Sequence, residues 1–132
     1  GNWDMNTANP CPSGWRVPTK TEWDGVLSNN TVYRTNNNGN TWVTGTQYAG
    51  WVADAANYST GIKFGDALVL PAAGARADDN GMLNDRGNSG FYWNNSVQEA
   101  GTTVGCMYFF NNSQNTYYAT RGGGFSVRCV AD

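Results

Sequence analysis

Three groups of residues in this 132-residue chain have types and spacings that could carry chemistry. The run DDNGMLND, Asp78 to Asp85, gathers carboxylates and amides, the oxygen ligands that a hard cation takes. It lacks the twelve-residue spacing of an EF-hand, and Asn80-Gly81 is the dipeptide of a tight hairpin turn with two positive φ angles, which accounts for the run without an ion. Cys11, Cys106 and Cys129 are odd in number, so one thiol is left over under any pairing. In an oxidising compartment Cys11 and Cys129, one near each end, are expected to pair; in a reducing one all three stay thiols. The third group is NNSQNTYYATRGGGFSVRC, Asn111 to Cys129. Its first half is amides, hydroxyls and tyrosines without apolar rhythm, and its second half is a glycine run leading into a strand-like alternation. Acid–base catalysis is poorly served throughout. The chain has no His, so carboxylates or perturbed Cys, Lys or Tyr would have to move protons near neutral pH. No enzyme, catalytic residue, metal or cofactor is expected.

Composition limits the scaffold that could hold these groups. The length suits one domain, residues 1–132, large enough for a real core. Six Trp, seven Tyr and five Phe accompany 17 Gly, and only 14% of residues are charged. That mixture favours an aromatic-centred, loop-rich globule over a helical bundle. A net charge of -2 with no cluster of Lys or Arg gives no footprint for nucleic acid. No apolar run reaches about 18 residues, so no membrane-spanning helix is expected. The first residues show neither the basic nor the apolar region of a secretory leader, which leaves open a leader or a further domain upstream.

The clearest local element is VPTKTEWDGVLSNN. Thr19 and Glu22 form a capping box, with Pro18 before it and Trp23 placed to pack on that proline. Trp23, Val26 and Leu27 then make one apolar stripe, and Ser28-Asn29-Asn30 ends the helix after about three turns. Glu22 and Asp24 sit where first-turn carboxylates offset the helix dipole. Helical periodicity then disappears. RTNNNGN, Arg34 to Asn40, reads as a loop, and TWV, GWVADA and GIKF as short β-prone runs. ALVLPAAG reads as a buried strand stopping at Pro71, and GFYWNNSV, GCMYFFN and GFSVRCV as three further strands. One early helix and many short strands make an α+β domain with antiparallel pairing. In CMYFF, Met107 and Phe109 are expected to point inward and Cys106, Tyr108 and Phe110 outward.

NPCPSGWRVPTKTEWDGV, LVLPAAGARADDNGMLNDRGNSGFYWNNS and GFSVRCV, in that order, resemble the Fibrobacter-succinogenes-type major paralogous domain, of the formylglycine-generating-enzyme-like branch of C-type lectin-like folds. The resemblance spans nearly the whole chain, with no landmarks from about Asn30 to Ser59. It implies termini that meet, a helix near the N-terminus and a twisted antiparallel sheet whose last strands carry a ligand surface. It also implies that Gly14, Trp15, Arg16, Pro18 and Trp23 are scaffold. The formylglycine enzymes themselves rely on a metal-binding cysteine pair and a larger chain, whereas Cys129 here matches the scaffold ending. WNNS, Trp93 to Ser96, is similar to the Trp-Asn-Asp calcium motif of sugar-binding C-type lectins, but Asn95 replaces the carboxylate and the companion Glu-Pro-Asn loop is absent.

The same fold includes variable proteins of diversity-generating retroelements, in which asparagine codons upstream of a fixed C-terminal end are scrambled. Cys106, Tyr108, Asn111, Asn112, Ser113, Asn115, Thr116, Tyr117, Tyr118, Ala119, Thr120 and Gly122 belong to the alphabet such scrambling reaches. Tyr with Asn and Ser is also the mixture of antibody paratopes, broad amphipathic rings beside adaptable hydrogen bonders. The expectation is therefore a ligand-binding or display module on a bacterial surface or phage particle, contacting a protein or glycan. The residues expected to do so are Trp93, Asn94, Asn95, Cys106, Tyr108, Phe110, Asn111, Asn112, Asn115, Tyr117, Tyr118, Thr120 and Arg121. The alternative is a structural or adhesive domain of a bacterial cell-envelope protein without a dedicated variable site. Ligand identity and oligomeric state are not readable from the sequence.

Overall fold

A computed structural model describes residues 8–36, 41–44, 50–98 and 101–132. Helix α1 (Lys20–Asn29) follows a short strand β1 (Trp15–Arg16). A four-stranded antiparallel sheet comes next, β2 (Val32–Thr35), β3 (Trp42–Thr44), β4 (Gly61–Phe64) and β5 (Leu68–Pro71), in the order β3-β2-β4-β5. A small hairpin, β6 (Ala75–Arg76) and β7 (Leu83–Asn84), leads to the three-stranded sheet β10-β9-β8, formed by β8 (Gly90–Gln98), β9 (Thr103–Phe109) and β10 (Gln114–Thr120). Strand β11 (Val130–Ala131) returns to pair with β1, Trp15 opposite Ala131. The fold is thus α+β and mostly β, and the two ends of the described chain meet.

Local chemistry explains where α1 starts and stops. Thr19 Oγ1 accepts from the Glu22 amide and Glu22 Oε1 accepts from the Thr19 amide, both at 3.0 Å, which occupies two donors a helix start leaves unpaired. At the other end Ser28, Asn29 and Asn30 donate their side chains to the carbonyls of Asp24, Gly25 and Val26. Three consecutive short polar residues competing for helical carbonyls stop the helix there. Arg16, from β1, donates to both Glu22 carboxylate oxygens at 2.6 and 3.1 Å. The Arg16 guanidinium chiefly, with the Thr19 donors against the cost of burial, pulls the Glu22 carboxyl down to about 2. A carboxyl held below its unfolded value contributes stability above pH ~4.3 that is lost as pH falls towards the folded value. The melting temperature is therefore expected to fall between about pH 4.5 and 2, and Glu22→Gln to flatten that part of the profile. An unchanged acid limb in the variant would show that the capping box does not set it.

The main core lies between α1, the inner face of the four-stranded sheet and one face of the three-stranded sheet. Trp23, Trp51, Ile62, Phe64, Leu70, Tyr92, Met107 and Phe109 are buried together. Its polar handles are satisfied: Trp51 Nε1 donates to Thr35 O, and Tyr92 Oη to Pro71 O. A second, smaller cluster of Val17, Trp93, Val104 and Cys106 covers one end of the opposite face of the three-stranded sheet, with Cys11, Ala119 and Phe125 against it. Cys11 and Cys129 are joined by a disulfide, so the two termini clamp this second cluster.

Several sequence expectations are corrected. Arg34 and Thr35 belong to strand β2 and are buried, although their neighbours are polar; residues 37–40 of the expected loop lie outside the described residues. GWVADA forms no strand: Trp51 turns into the core and Asp54 caps a single 3₁₀ turn, Ala55–Asn57. ALVLPAAG is not buried along its length, since successive β5 side chains leave opposite faces of the sheet: Leu70 is buried and Val69 exposed. The Asn80-Gly81 hairpin exists with a longer loop. Gly81 alone of the pair has positive φ, and Asn80 Oδ1 accepts from the Met82 amide, the side-chain turn that short polar residues favour. GFSVRCV is not continuous strand: Gly124 and Ser126 make isolated bridges to Arg76 and Tyr92, and Val130 with Ala131 pairs with β1. The polar stretch before it is the opposite case, because Gln114–Thr120 is a full strand paired with β9.

Candidate functional site

Strand parity divides the three-stranded sheet into two faces. Phe91 pairs with Tyr108 and Trp93 with Cys106 across β8 and β9, while Asn115 pairs with Tyr108 and Tyr117 with Cys106 across β9 and β10. Directly paired residues share a face, so Phe91, Trp93, Cys106, Tyr108, Asn115 and Tyr117 all lie on one side. At one end of that face the second core cluster covers Trp93 and Cys106; at the other end Phe91, Tyr108 and Phe110 are half-buried, and Tyr117, directly across from Cys106 at the border between the two, is 41% exposed.

The open end is a connected set of rings. Tyr108 meets Tyr117 edge-on at 5.1 Å and Phe110 at 5.4 Å, and Phe91 lies 6.0 Å from Phe110. Phe91 stacks on Phe125 at 5.0 Å, which stacks on Trp93 at 4.2 Å. Such contacts fix each ring's orientation while leaving outer surface for a partner. Two hollows open on this face, sharing Phe91 and Tyr117. One, of about 310 Å³, is lined by four rings: Phe91, Tyr108, Phe110 and Tyr117. The other, of about 480 Å³, runs between Phe91, Tyr117 and Phe125 on the sheet and Arg76, Asp78, Asn84 and Asp85 on the β6–β7 hairpin. Thr120 Oγ1 donates to Asp78 Oδ2 at 3.3 Å, closing the far end.

The sequence-based site list is therefore divided. Tyr108, Phe110, Asn115 and Tyr117 come together, with Asn111 and Asn112 at the adjoining hairpin tip. Trp93, Asn94 and Cys106 are corrected from surface to interior, at 6%, 0% and 0% exposure. Trp93 and Cys106 have the expected parity but are roofed by Val17 and Phe125. Burial pushes the Cys106 thiol up to about 12, so it stays protonated at neutral pH. Asn94 sits in a bulge of β8, where its Oδ1 accepts from the Ser96 amide and its side chain occupies the space above Gly105. Asn95 shares that bulge, its amide donating to Pro18 O.

Tyr118 borders the larger hollow but not the four-ring one. It pairs with Gly105, so it leaves the opposite face from Tyr117, towards α1, where Lys20 feels its phenol. Thr116, on the same side, donates to Asp24 Oδ1 at 2.6 Å. Thr120 borders the larger hollow, and Arg121 lies half-buried just beyond β10. The list lacked Phe91 and Phe125 and the hairpin wall. Phe91 was accessible to reasoning, since it lies two residues before Trp93 in an alternating strand; Phe125 and the hairpin are brought in by tertiary placement alone. Among the described residues no three Cys, Asp or Glu side chains converge as metal ligands.

Comparison with known families matches the chain to the Fibrobacter succinogenes major domain over residues 2–131. No curated protein and no solved structure matches the chain.

Proposed function

We propose a binding role for this chain, which belongs to the Fibrobacter succinogenes major domain family: it is a recognition module of C-type lectin-like fold that contacts a partner through the aromatic end of its three-stranded sheet. The observation that carries this reading is the four-ring hollow of Phe91, Tyr108, Phe110 and Tyr117 beside a rim of asparagines. Rigid amphipathic rings surrounded by amides give contact area at low entropic cost. The lining also favours a protein partner over a glycan. Its side-chain polar groups are two phenols, so apolar and aromatic side chains of a protein fill it without leaving a polar group unpaired.

Retroelement diversification is part of the proposal in a narrower form. Tyr108, Asn111, Asn112, Asn115 and Tyr117 have outward or tip positions and residue types reachable by scrambled asparagine codons. Cys106, Thr116 and Tyr118 share the alphabet but have structural neighbours, so variation is expected to avoid them. The disulfide supports an extracytoplasmic location, at a bacterial surface or on a phage particle. A non-enzymatic role is supported by the absence of His and by a lone thiol that is buried and protonated.

The test begins with a screen of the disulfide-bonded protein against a displayed library of bacterial surface proteins and, in parallel, a glycan array. A protein binder is expected, and Tyr117→Ala is expected to weaken it roughly 30-fold or more, the effect of losing a hot spot of about 2 kcal/mol. Its melting temperature should fall only modestly, by the loss of its contacts with Tyr108 and Cys106. Tyr118→Ala, on the opposite parity of β10 and outside the four-ring hollow, should weaken binding far less. A large stability loss from Tyr117→Ala with unchanged binding would assign Tyr117 to the core and remove the proposed face.

A further inference from the structure

The hairpin that carries the recognition strand is held from the other side of the molecule. Arg34, on the inner face of the four-stranded sheet, is fully buried, and its guanidinium reaches the β9–β10 turn 76 residues away in sequence. Nε donates to the Phe110 carbonyl at 2.9 Å, and one terminal nitrogen donates to the Ser113 carbonyl at 2.9 Å and to Gln114 Oε1 at 2.7 Å. Phe110 N closes the turn by donating to that same Ser113 carbonyl at 2.9 Å, leaving Asn111 and Asn112 as the loop. Neither asparagine has positive φ. The usual two-residue hairpin turns demand left-handed residues at one or both loop positions and thereby restrict them to Gly, Asn or Asp; this turn makes no such demand.

We infer that Arg34 is the positioning residue of the recognition strand. It fixes the turn through main-chain oxygens, so the side chains at 111–113 can be exchanged without moving β10 or the rings beside it. The planar fork is needed, because a lysine ammonium cannot hold these separated acceptors with the same geometry. Among the described residues the clamp also reads the side chain of Gln114. Tolerance is therefore patterned: free at the tip and at outward Asn115, intermediate at Tyr117, which lies against Cys106 and Tyr108, and restricted at Gln114 and at Thr116, which is tied to Asp24. This rests on the location of the recognition face proposed above but not on its having a protein ligand, so a failed binding screen leaves it standing.

Hydrogen exchange tests it on the intact disulfide-bonded protein, comparing amides of 109–120 with those of α1 in Arg34→Lys and in a tip variant, Asn111→Thr with Asn112→Ser. Arg34→Lys is expected to speed exchange at 109–120 at least about tenfold while α1 changes far less, and the tip variant to stay within about twofold of the parent at both places. A saturation scan at 34 and 111–117 with protease resistance as the readout covers the case in which Arg34→Lys does not fold. It should find position 34 intolerant even of Lys, and 111–113 and 115 broadly permissive. Restrictive tip positions, or exchange in Arg34→Lys that matches the parent, would overturn the inference.

Discussion

Removing the Cys11–Cys129 bridge, by reduction or by replacing both cysteines with serine, is expected to cost this domain about 4–5 kcal/mol of unfolding free energy. The cross-link spans a sequence separation of 118, nearly the whole chain. In the chain-entropy account, closing a loop of about 100 residues stabilises by roughly 4.7 kcal/mol through the unfolded state, and the dependence on length is logarithmic. Typical domains have only about 5–15 kcal/mol in total, so the bridge supplies a large share. The native state adds to the effect. Cys11 packs against the second core cluster, and β1 and β11, two residues each, are too short to hold the ends together unaided. In the oxidised protein Cys106 does not attack the bridge, because it is buried and its thiol stays protonated. Urea unfolding of the oxidised protein and the double serine variant measures the difference, and a loss below about 1 kcal/mol would mean that the ends stay together in the unfolded chain by other means. The same variants should lose order first at Trp93 and Phe125, which join the clamp to the recognition face.

How far the sequence could be read depended on whether each element is held by its neighbours or by distant ones. The Thr19–Glu22 box closes within four residues, and its start and stop are where the residue types place them. The pairing of Cys11 with Cys129 was similarly legible from position, given an oxidising compartment. Strand β10 was not legible, because its inward side chains meet polar partners: Thr116 faces Asp24 and Gln114 faces Arg34. A strand whose two faces are both polar or half-exposed has no apolar alternation to reveal it. Arg34 shows the converse. A run of Arg, Thr and Asn reads as surface, yet a buried guanidinium surrounded by carbonyl oxygens is stable inside, and only the tertiary fold brings those oxygens to it. Trp93, Asn94 and Cys106 were misplaced for a related reason. Period-2 alternation assigns a side chain to a face, but it does not say whether that face is roofed, and here the N-terminal segment and Phe125 roof half of it.

The hairpin wall of the larger hollow depends on a single glycine, and Gly74→Ala is expected to cost about 2–5 kcal/mol and to open the hollow. Gly74 has φ +69, a conformation that costs an L-residue roughly 1–2 kcal/mol. A Cβ there would also overlap the Asn84 carbonyl oxygen and stand 2.6 Å from the Arg86 nitrogen. These are main-chain atoms of β7 and the turn after it, so no rotamer change relieves the clash, and overpacking adds about 1–3 kcal/mol. Gly81 provides the control. It has the same φ of +69 but nothing within 4 Å of a built Cβ, so Gly81→Ala should show the conformational cost alone. The excess of Gly74→Ala over Gly81→Ala, measured as unfolding free energies, isolates the close approach that seats β7 beside the sheet. Asn84 and Asp85 line the hollow from that side. In the Gly74 variant, chemical shifts of Phe91 and Phe125 should therefore move at temperatures where the domain is still folded, and in the Gly81 variant they should not. Equal costs and unmoved rings would show that the hairpin adapts freely, and the larger hollow would then have no fixed wall with which to select a ligand.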